Sequence, residues 1–451
     1  MKKLTLSSCH LIIISSVYII LTSNVEFFSQ TLTVYPFSES VVFILSLIIT
    51  LFAAIVLFTS FFSVLFPARI VITVFLFVAA SSSYFIDKFG TIIDDDMIRN
   101  VVETNVSEAG DLLSSGFIFR LFVLAVIPIA ILWVIPYKKK SWLKEKSGIL
   151  VVGASALASM LLTIFIFSDH YASFFREHKQ LRYYSNPTYP IFSAGKYAAG
   201  FIKGSGSNQY VRLTEEANTP ERDIERELVI IVVGETARAG NFSLNGYERK
   251  TNPLLEKEKS LVSYDNFTSC GTSTSISVPC MFSFSDRESF DVNSSRQTQN
   301  VLDVLALAGV NILWRDNNSD SKGVAERLEY QSYRSPKINT ICDTECRDVG
   351  MLVGLQEYID RQDKDVLIVL HQMGSHGPAY YKRYPKDFEK FTPVCQSNEL
   401  SECTKEEIVN AYDNTILYTD YFLSEVIKFL KHNDKKYETV MLYISDHGES
   451  L

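Results

Sequence analysis

The sequence predicts a membrane-embedded half of five helices followed by an α/β domain on a mostly parallel central sheet. Three observations carry this reading. Nearly all the long apolar runs of the 451 residues fall before residue 170. After residue 222, short β-branched runs alternate with helical patterns, the mark of strands paired in parallel with covered faces. The stretch Leu228 to Arg238, LVIIVVGETAR, runs six apolar residues straight into Gly234 and Glu235. Such a run reads as a central strand buried on both faces, and ligands in open α/β sheets sit at the carboxyl ends of such strands.

Taken in order, the apolar stretch Leu11 to Leu21 after Met-Lys-Lys reads as a first span rather than a signal peptide. No small-residue cleavage site follows it, and Val25 to Phe28 keeps it apolar. Ser40 to Phe66, Ile70 to Ile86, Phe117 to Tyr137 and Gly148 to Phe167 give four more spans. Basic residues fall on alternate loops: Lys2 and Lys3, Arg69, then Lys138 to Lys146. The positive-inside rule therefore puts the N-terminus in the cytoplasm and everything after about Asp169 outside. Residues 1–168 form the membrane domain, with a helix expected in the outside loop near 88–116. Asn100, Thr104 and Glu108 share one face of that helix, and by spacing alone this is a solvated face of an interfacial helix. Residues 169–222 read as an interfacial helix and a linker, and 223–451 as the soluble domain.

In that domain the expected strands are 228–233, 310–314, 366–370 and 439–444, with helices at 300–308, 351–361 and 406–431. Each strand ends in polar residues: Glu235 and Thr236; Asp316 and Asn317; His371, Ser375 and His376; Asp446 and His447. Strand ends carrying Glu and Asp-His suggest a metal. A net charge of -8 without a basic stripe argues against a nucleic-acid partner.

Six of the seven cysteines lie between residues 270 and 403, in couples close in sequence: Cys270 and Cys280, Cys342 and Cys346, Cys395 and Cys403. About 15 connectivities are possible, and short loops favour nearest-neighbour pairing. None shows the C-x2-C spacing of a zinc knuckle, so disulfides and an oxidising compartment are expected. Cys270 and Cys280 bracket GTSTSISVP, which reads as the N-terminus of a helix where free N–H groups would favour a phosphate or an anionic nucleophile. It is equally a Ser/Thr-rich loop tied by a disulfide.

GETAR at 234–238, SCGTSTSISVPCMFS at 269–283, DNNSDSKG at 316–323, GSHGPAYYKRYP at 374–385 and SDHGES at 445–450 together resemble the bacterial lipid A phosphoethanolamine transferases, the mobile colistin-resistance type included. The resemblance implies five transmembrane helices in the bacterial inner membrane and a periplasmic alkaline-phosphatase/sulfatase-like domain. It implies Zn2+ bound by Glu235, Thr274, Asp446 and His447, with Thr274 the nucleophile that takes phosphoethanolamine from phosphatidylethanolamine before lipid A receives it. Ser319, Lys322 and His376 match substrate-side positions, His376 as a proton donor or second-metal ligand. Asn100, Thr104 and Glu108 match loop residues near the lipid headgroup, and His371 is left as structural. The resemblance further implies resistance to cationic peptides such as polymyxin, acting as a monomer. Relatives continue beyond SDHGES, so the C-terminal end of the catalytic domain is expected to be missing. Rival expectations are transfer to lipopolysaccharide core, a periplasmic glucan or a glycerol-phosphate polymer, and a non-catalytic membrane sensor.

Overall fold

Long apolar stretches form four helices long enough to cross a membrane among the described residues: Ser40–Leu65, Ala68–Phe89, Ser115–Val134 and Trp142–Ile166. At 20 to 26 residues each, and about 1.5 Å rise per residue, they match a hydrocarbon layer of about 30 Å. This computed structural model describes residues 5–103, 110, 113–138, 141–204, 210–219, 225–264 and 266–451. The chain divides into one unit of Met1–Val102 with Leu113–Gly200 and a second of Glu103–Leu112 with Phe201–Leu451.

In the first unit the expected first span is broken. Helices Ser8–Ser23 and Val25–Val34 meet at an angle of 62°, so the count is five only with this pair taken as one span. Asn24 at the break explains the bend. Its side-chain amide donates to Ile19 O (3.2 Å) and Asn186 O (2.8 Å), while its Oδ1 accepts the Asn186 N–H (2.9 Å). Asn186 in turn donates to Ser23 O at the break and to Ala79 O of the helix Ala68–Phe89, so the break is tied to a neighbouring helix. Gly153 brings two spans together, since a Cβ there would lie 3.2 Å from Ser60 Cβ. Arg120, near the start of the Ser115–Val134 helix, pairs with Asp87.

Within 169–222, expected to hold an interfacial helix and a linker, the described residues up to 204 are largely helical. Ser168–Arg176 and Thr188–Gly204 are α-helices, and Leu181–Tyr184 is a 3-10 turn. Tyr171 and Phe174 are buried against Phe43, and the Tyr171 hydroxyl bonds Thr50 Oγ1 at 2.6 Å. The pattern suggested a linker because long apolar runs stop there and Tyr, Pro, Gly and Ser take over, whereas the fold buries Tyr171 and Phe174, three residues apart on one helix. In the loop expected to lie outside, Asp95–Glu103 is a helix carrying Asn100, with Asp94 Oδ1 accepting the Met97 N–H (2.8 Å). Thr104 and Glu108 lie outside the described residues.

The second unit is built on five parallel strands, β1 Glu227–Gly234, β2 Asn311–Asp316, β3 Glu329–Ser332, β4 Val366–His371 and β5 Glu438–Ser445, in the order β3-β2-β4-β1-β5. β1 lies between β4 and β5, and its side chains alternate between two cores. Leu228, Ile230 and Val232 pack with Met351, Leu355, Phe422 and Val426; Val233 packs with Val278, Leu302 and Trp314. Each such side chain contributes on the order of 1.5–3 kcal/mol on burial. Helix Lys405–Asn433 covers the first face and starts at a capping box made by Thr404 and Glu407. Helix Val301–Leu307 starts at a similar box, Asn300 with Asp303, and covers the other face. β3 is a short, half-exposed edge with no apolar run, which is why no pattern announced it. Cys270–Cys280, Cys342–Cys346 and Cys395–Cys403 are disulfide-bonded.

Candidate active site

Strand register decides which side chains meet. Gly234 of β1 is opposite Ser445 of β5, and Val233 is opposite His371 of β4, which is opposite Asp316 of β2. The residues that leave the sheet next, Glu235 and Asp446, therefore emerge side by side. Glu235, Asp446 and His447 bring their ligand atoms within 4.8 Å of one another, both carboxylates being buried.

The Thr274 hydroxyl donates to Glu235 Oε2 at 3.1 Å. Thr274 is the first residue of the helix Thr274–Met281, after Ser273 in extended conformation. The Cys270–Cys280 disulfide spans this turn, and Gly271 donates its N–H to Ser277 Oγ (3.0 Å). Gly271 has no room for a side chain there, because a Cβ would lie 2.8 Å from Ile276 Cγ2. The hydroxyl is thus held rigidly beside the carboxylates, at the positive end of a helix.

Electrostatics favour a cation at this point. Burial opposes ionisation of Glu235, but the imidazoles of His376 and His447 and the Thr236 hydroxyl prevail and lower its pKa to about 2. Burial, then the charge of Glu235, pushes Asp446 up to about 7. Two buried carboxylates so close ionise together only if positive charge lies between them. Asp446 Oδ2 is buried without a hydrogen-bond partner, 3.4 Å from His447 Nε2. His447 Nδ1 is 2.8 Å from Gly448 O. Donation there fixes the tautomer whose Nε2 lone pair faces the carboxylates, the form a metal requires. Two carboxylates, one imidazole and a hydroxyl are a donor set for a divalent metal with an oxygen and nitrogen preference.

Around this group the turn after β2 supplies support. Asn318 Nδ2 donates to Glu235 Oε2 (2.8 Å) and Gln372 O (2.7 Å). Asp316 accepts from Trp314 Nε1, His371 Nδ1 and Asn318 N, each at 2.9 Å. His371 is fully buried and its Nε2 has no partner. Ser319 N–H donates to Asn318 Oδ1. Lys322, buried and at φ +51°, has Nζ 3.7 Å from Asp320 and lines a cavity of about 40 Å³ with Pro279, Asp291, Arg296 and Asn300. His376 follows β4; Arg383 Nε holds its carbonyl (2.6 Å), and its Nδ1 is buried without a partner. The structure thus gathers Glu235, Thr274, Asp446 and His447, with His376 near enough to act on Glu235. Ser319 and Lys322 sit on the adjoining turn, and Asn100 belongs to the other unit.

Sequence reasoning gave no role to Thr236, named only as a polar strand end, or to Asn318 and Asp348. Asp348 is buried and accepts the N–H groups of Met373 (2.9 Å) and Gly374 (3.1 Å), fixing the loop to His376. Thr236 and Asn318 both lie inside quoted motifs and were findable; Asp348 follows a disulfide loop with no local signal.

A parallel sheet with Glu, Thr, Asp and His gathered at its carboxyl edge defines a sulfatase-type domain, and residues 227–451 match the Sulfatase family. Residues 51–200 match the family described as phosphoethanolamine transferase EptA/EptB. The chain belongs to the phosphoethanolamine transferase family. It is 44% identical to phosphatidylethanolamine transferase Mcr-1 of Escherichia coli, over 97% of this chain and 83% of that protein. It is 37% identical to phosphoethanolamine transferase EptA of Escherichia coli K12, over 100% and 83%. Among solved structures, the integral membrane lipooligosaccharide phosphoethanolamine transferase A of Neisseria meningitidis superposes with a TM-score of 0.92. The identity there is 34%, over 99% of this chain and 84% of that one. The fold class expected from the sequence, transmembrane helices followed by a sulfatase-like domain on a mostly parallel sheet, is the one observed.

Proposed function

We propose that the protein transfers phosphoethanolamine from phosphatidylethanolamine to a phosphate of lipid A, through a covalent intermediate on Thr274. The observation that carries this is the Thr274 hydroxyl, held 3.1 Å from Glu235 Oε2 beside Asp446 and His447. Zn2+ bound by Glu235, Asp446, His447 and Thr274 would lower the pKa of the threonine hydroxyl and offset charge on the transferring phosphoryl group.

In the first displacement the Thr274 hydroxyl releases its proton to solvent, Thr274 Oγ1 bonds to phosphorus, and the bond to the diacylglycerol oxygen breaks, that oxygen taking the proton held by His376. His376 then regains a proton from solvent. In the second, an ionised oxygen of the lipid A phosphate attacks the same phosphorus and the bond to Thr274 Oγ1 breaks, that oxygen taking the His376 proton so that the free hydroxyl is restored. Splitting the transfer lets one site serve donor and acceptor in turn. Lys322 and Ser319 hold the phosphoryl and headgroup side, and Asn100, Thr104 and Glu108 contact the lipid headgroup at the membrane. The catalytic domain, residues 223–451, works in the periplasm from an inner-membrane anchor, and one copy supplies the whole ligand set. Each transfer adds an ammonium to an anionic phosphate, which weakens attraction of cationic peptides and confers polymyxin resistance.

The deciding experiment is the mass of lipid A from cells expressing the full gene. One added phosphoethanolamine on lipid A is expected. Unmodified lipid A with phosphoethanolamine on core sugars or glucan would replace the acceptor, and no modified product at all would remove the activity.

A further inference from the structure

Thr236 is a β-branched residue at φ +57°, buried, next to a metal-ligand candidate. The left-handed region crowds its Cβ, and a glycine would take this conformation without strain. Several contacts hold it there. Its carbonyl accepts the Tyr412 hydroxyl (2.7 Å), which itself accepts the Arg238 N–H (2.7 Å), and Ala237 N–H donates to Ser445 Oγ (2.8 Å). Strain that the surroundings enforce so fully points to a use for the side chain.

The use is visible in what Thr236 touches. Its hydroxyl donates to Glu235 Oε1, and its backbone N–H donates to Asp446 Oδ1 (3.0 Å). In the left-handed conformation a single residue reaches both carboxylates, one on each of two adjacent strand ends. Asn318 and Thr274 occupy the other Glu235 oxygen, so the Thr236 hydroxyl is what orients Oε1.

We propose that Thr236 is a positioning residue that clamps Glu235 and Asp446 at the spacing a divalent metal needs, its hydroxyl acting through Glu235. This rests on the reading that these carboxylates hold Zn2+. Loss of such an outer partner typically costs about 10- to 100-fold in metal affinity.

The test is Zn2+ affinity of the whole chain in detergent, by competition with a chromophoric chelator, together with the visible spectrum of the Co2+ form. T236V keeps the branched shape and loses the hydroxyl, T236G loses the hydroxyl and the strain, and T236S keeps the hydroxyl. T236V and T236G should each bind Zn2+ about 10- to 100-fold more weakly, with altered Co2+ bands, and T236S should restore both. T236G remains readable if T236V fails to fold. Wild-type affinity in T236V or T236G, or weakness in T236S equal to that in T236V, overturns the clamp while leaving the metal site standing. Absence of Zn2+ binding by the wild-type chain overturns both.

Discussion

The side-chain amide of Asn318 donates to Glu235 Oε2 at 2.8 Å, tying the turn after β2 to the carboxylate that leaves β1. The same nitrogen holds Gln372 O, so one residue joins three strand ends. N318A should loosen Glu235, which keeps only the Thr236 and Thr274 hydroxyls, and should leave Glu235 Oε2 and Gln372 O each one donor short. N318D should do worse, because it sets a third buried carboxylate against Glu235 and Asp446. Zn2+ affinity should fall by about 10- to 100-fold in N318A and further in N318D, measured by chelator competition. Equal affinity in all three proteins would show that Glu235 is oriented without Asn318.

Gly374 marks the closest backbone approach behind Glu235. It sits at φ +52°, and a Cβ there would lie 2.8 Å from Glu235 O and 3.1 Å from Glu235 Cβ. G374A therefore combines left-handed strain with a clash against backbone that carries a site residue. The expected loss is about 2–4 kcal/mol, seen as a lower melting temperature, with transfer activity reduced in whatever fraction stays folded. An unchanged melting temperature would mean that the loop 372–376 yields easily, against the hold that Asp348 has on it.

Much of this site could be read in the chain because apolar parallel strands declare themselves, β1 buried inside the sheet and β5 apolar although it is a half-exposed edge. The run before Glu235 and the run before Asp446 are almost wholly apolar, and equal lengths of strand bring their ends level. The disulfides were legible for a similar reason, since partners separated by 4 to 10 residues are set by local geometry. What escaped the sequence depends on distant partners. The bend at Asn24 exists because Asn186, 162 residues away, satisfies it. The positive φ of Thr236 needs Tyr412 and Asp446, and no propensity would place a β-branched residue there. β3 shows no pattern because its four residues, Glu329 to Ser332, include one aromatic and no aliphatic side chain.

Stability should carry a pH signature from Asp420. Its carboxylate accepts the N–H groups of Leu254 (2.9 Å) and Leu255 (3.0 Å), but burial outweighs them and raises its pKa from 3.8 to about 6. A raised carboxyl pKa means that the folded state binds more protons than the unfolded state between these values. Stability from this group is therefore full below about pH 4, falls as pH rises to about 6, and is constant above. The change is on the order of 3 kcal/mol. The difference in stability between wild type and D420N, which cannot titrate, should shift by that amount between pH 4 and 6.5 in favour of D420N. A flat difference would mean that the two N–H groups stabilise the ionised form as well as water does.

Thr274 separates chemistry from metal binding most sharply. A threonine hydroxyl is a weak metal ligand, and its removal leaves two carboxylates and an imidazole in place. T274A should therefore retain Zn2+ and lose transfer by at least about 10³-fold, the scale expected when a nucleophile is deleted. E235A and D446A remove charge that holds the ion, so both should lose Zn2+ and activity together. T274S should keep part of the activity, since the hydroxyl remains and only the methyl that restrains its rotamer is gone. With phosphatidylethanolamine supplied and lipid A withheld, the wild-type peptide containing Thr274 should gain the mass of one phosphoethanolamine, and T274A should gain none. If T274A still modifies lipid A near the wild-type rate, transfer passes directly between the two lipids and the covalent step is wrong. If instead T274A loses Zn2+ as fully as E235A does, the hydroxyl holds the ion and its role as nucleophile must be shown by the adduct alone.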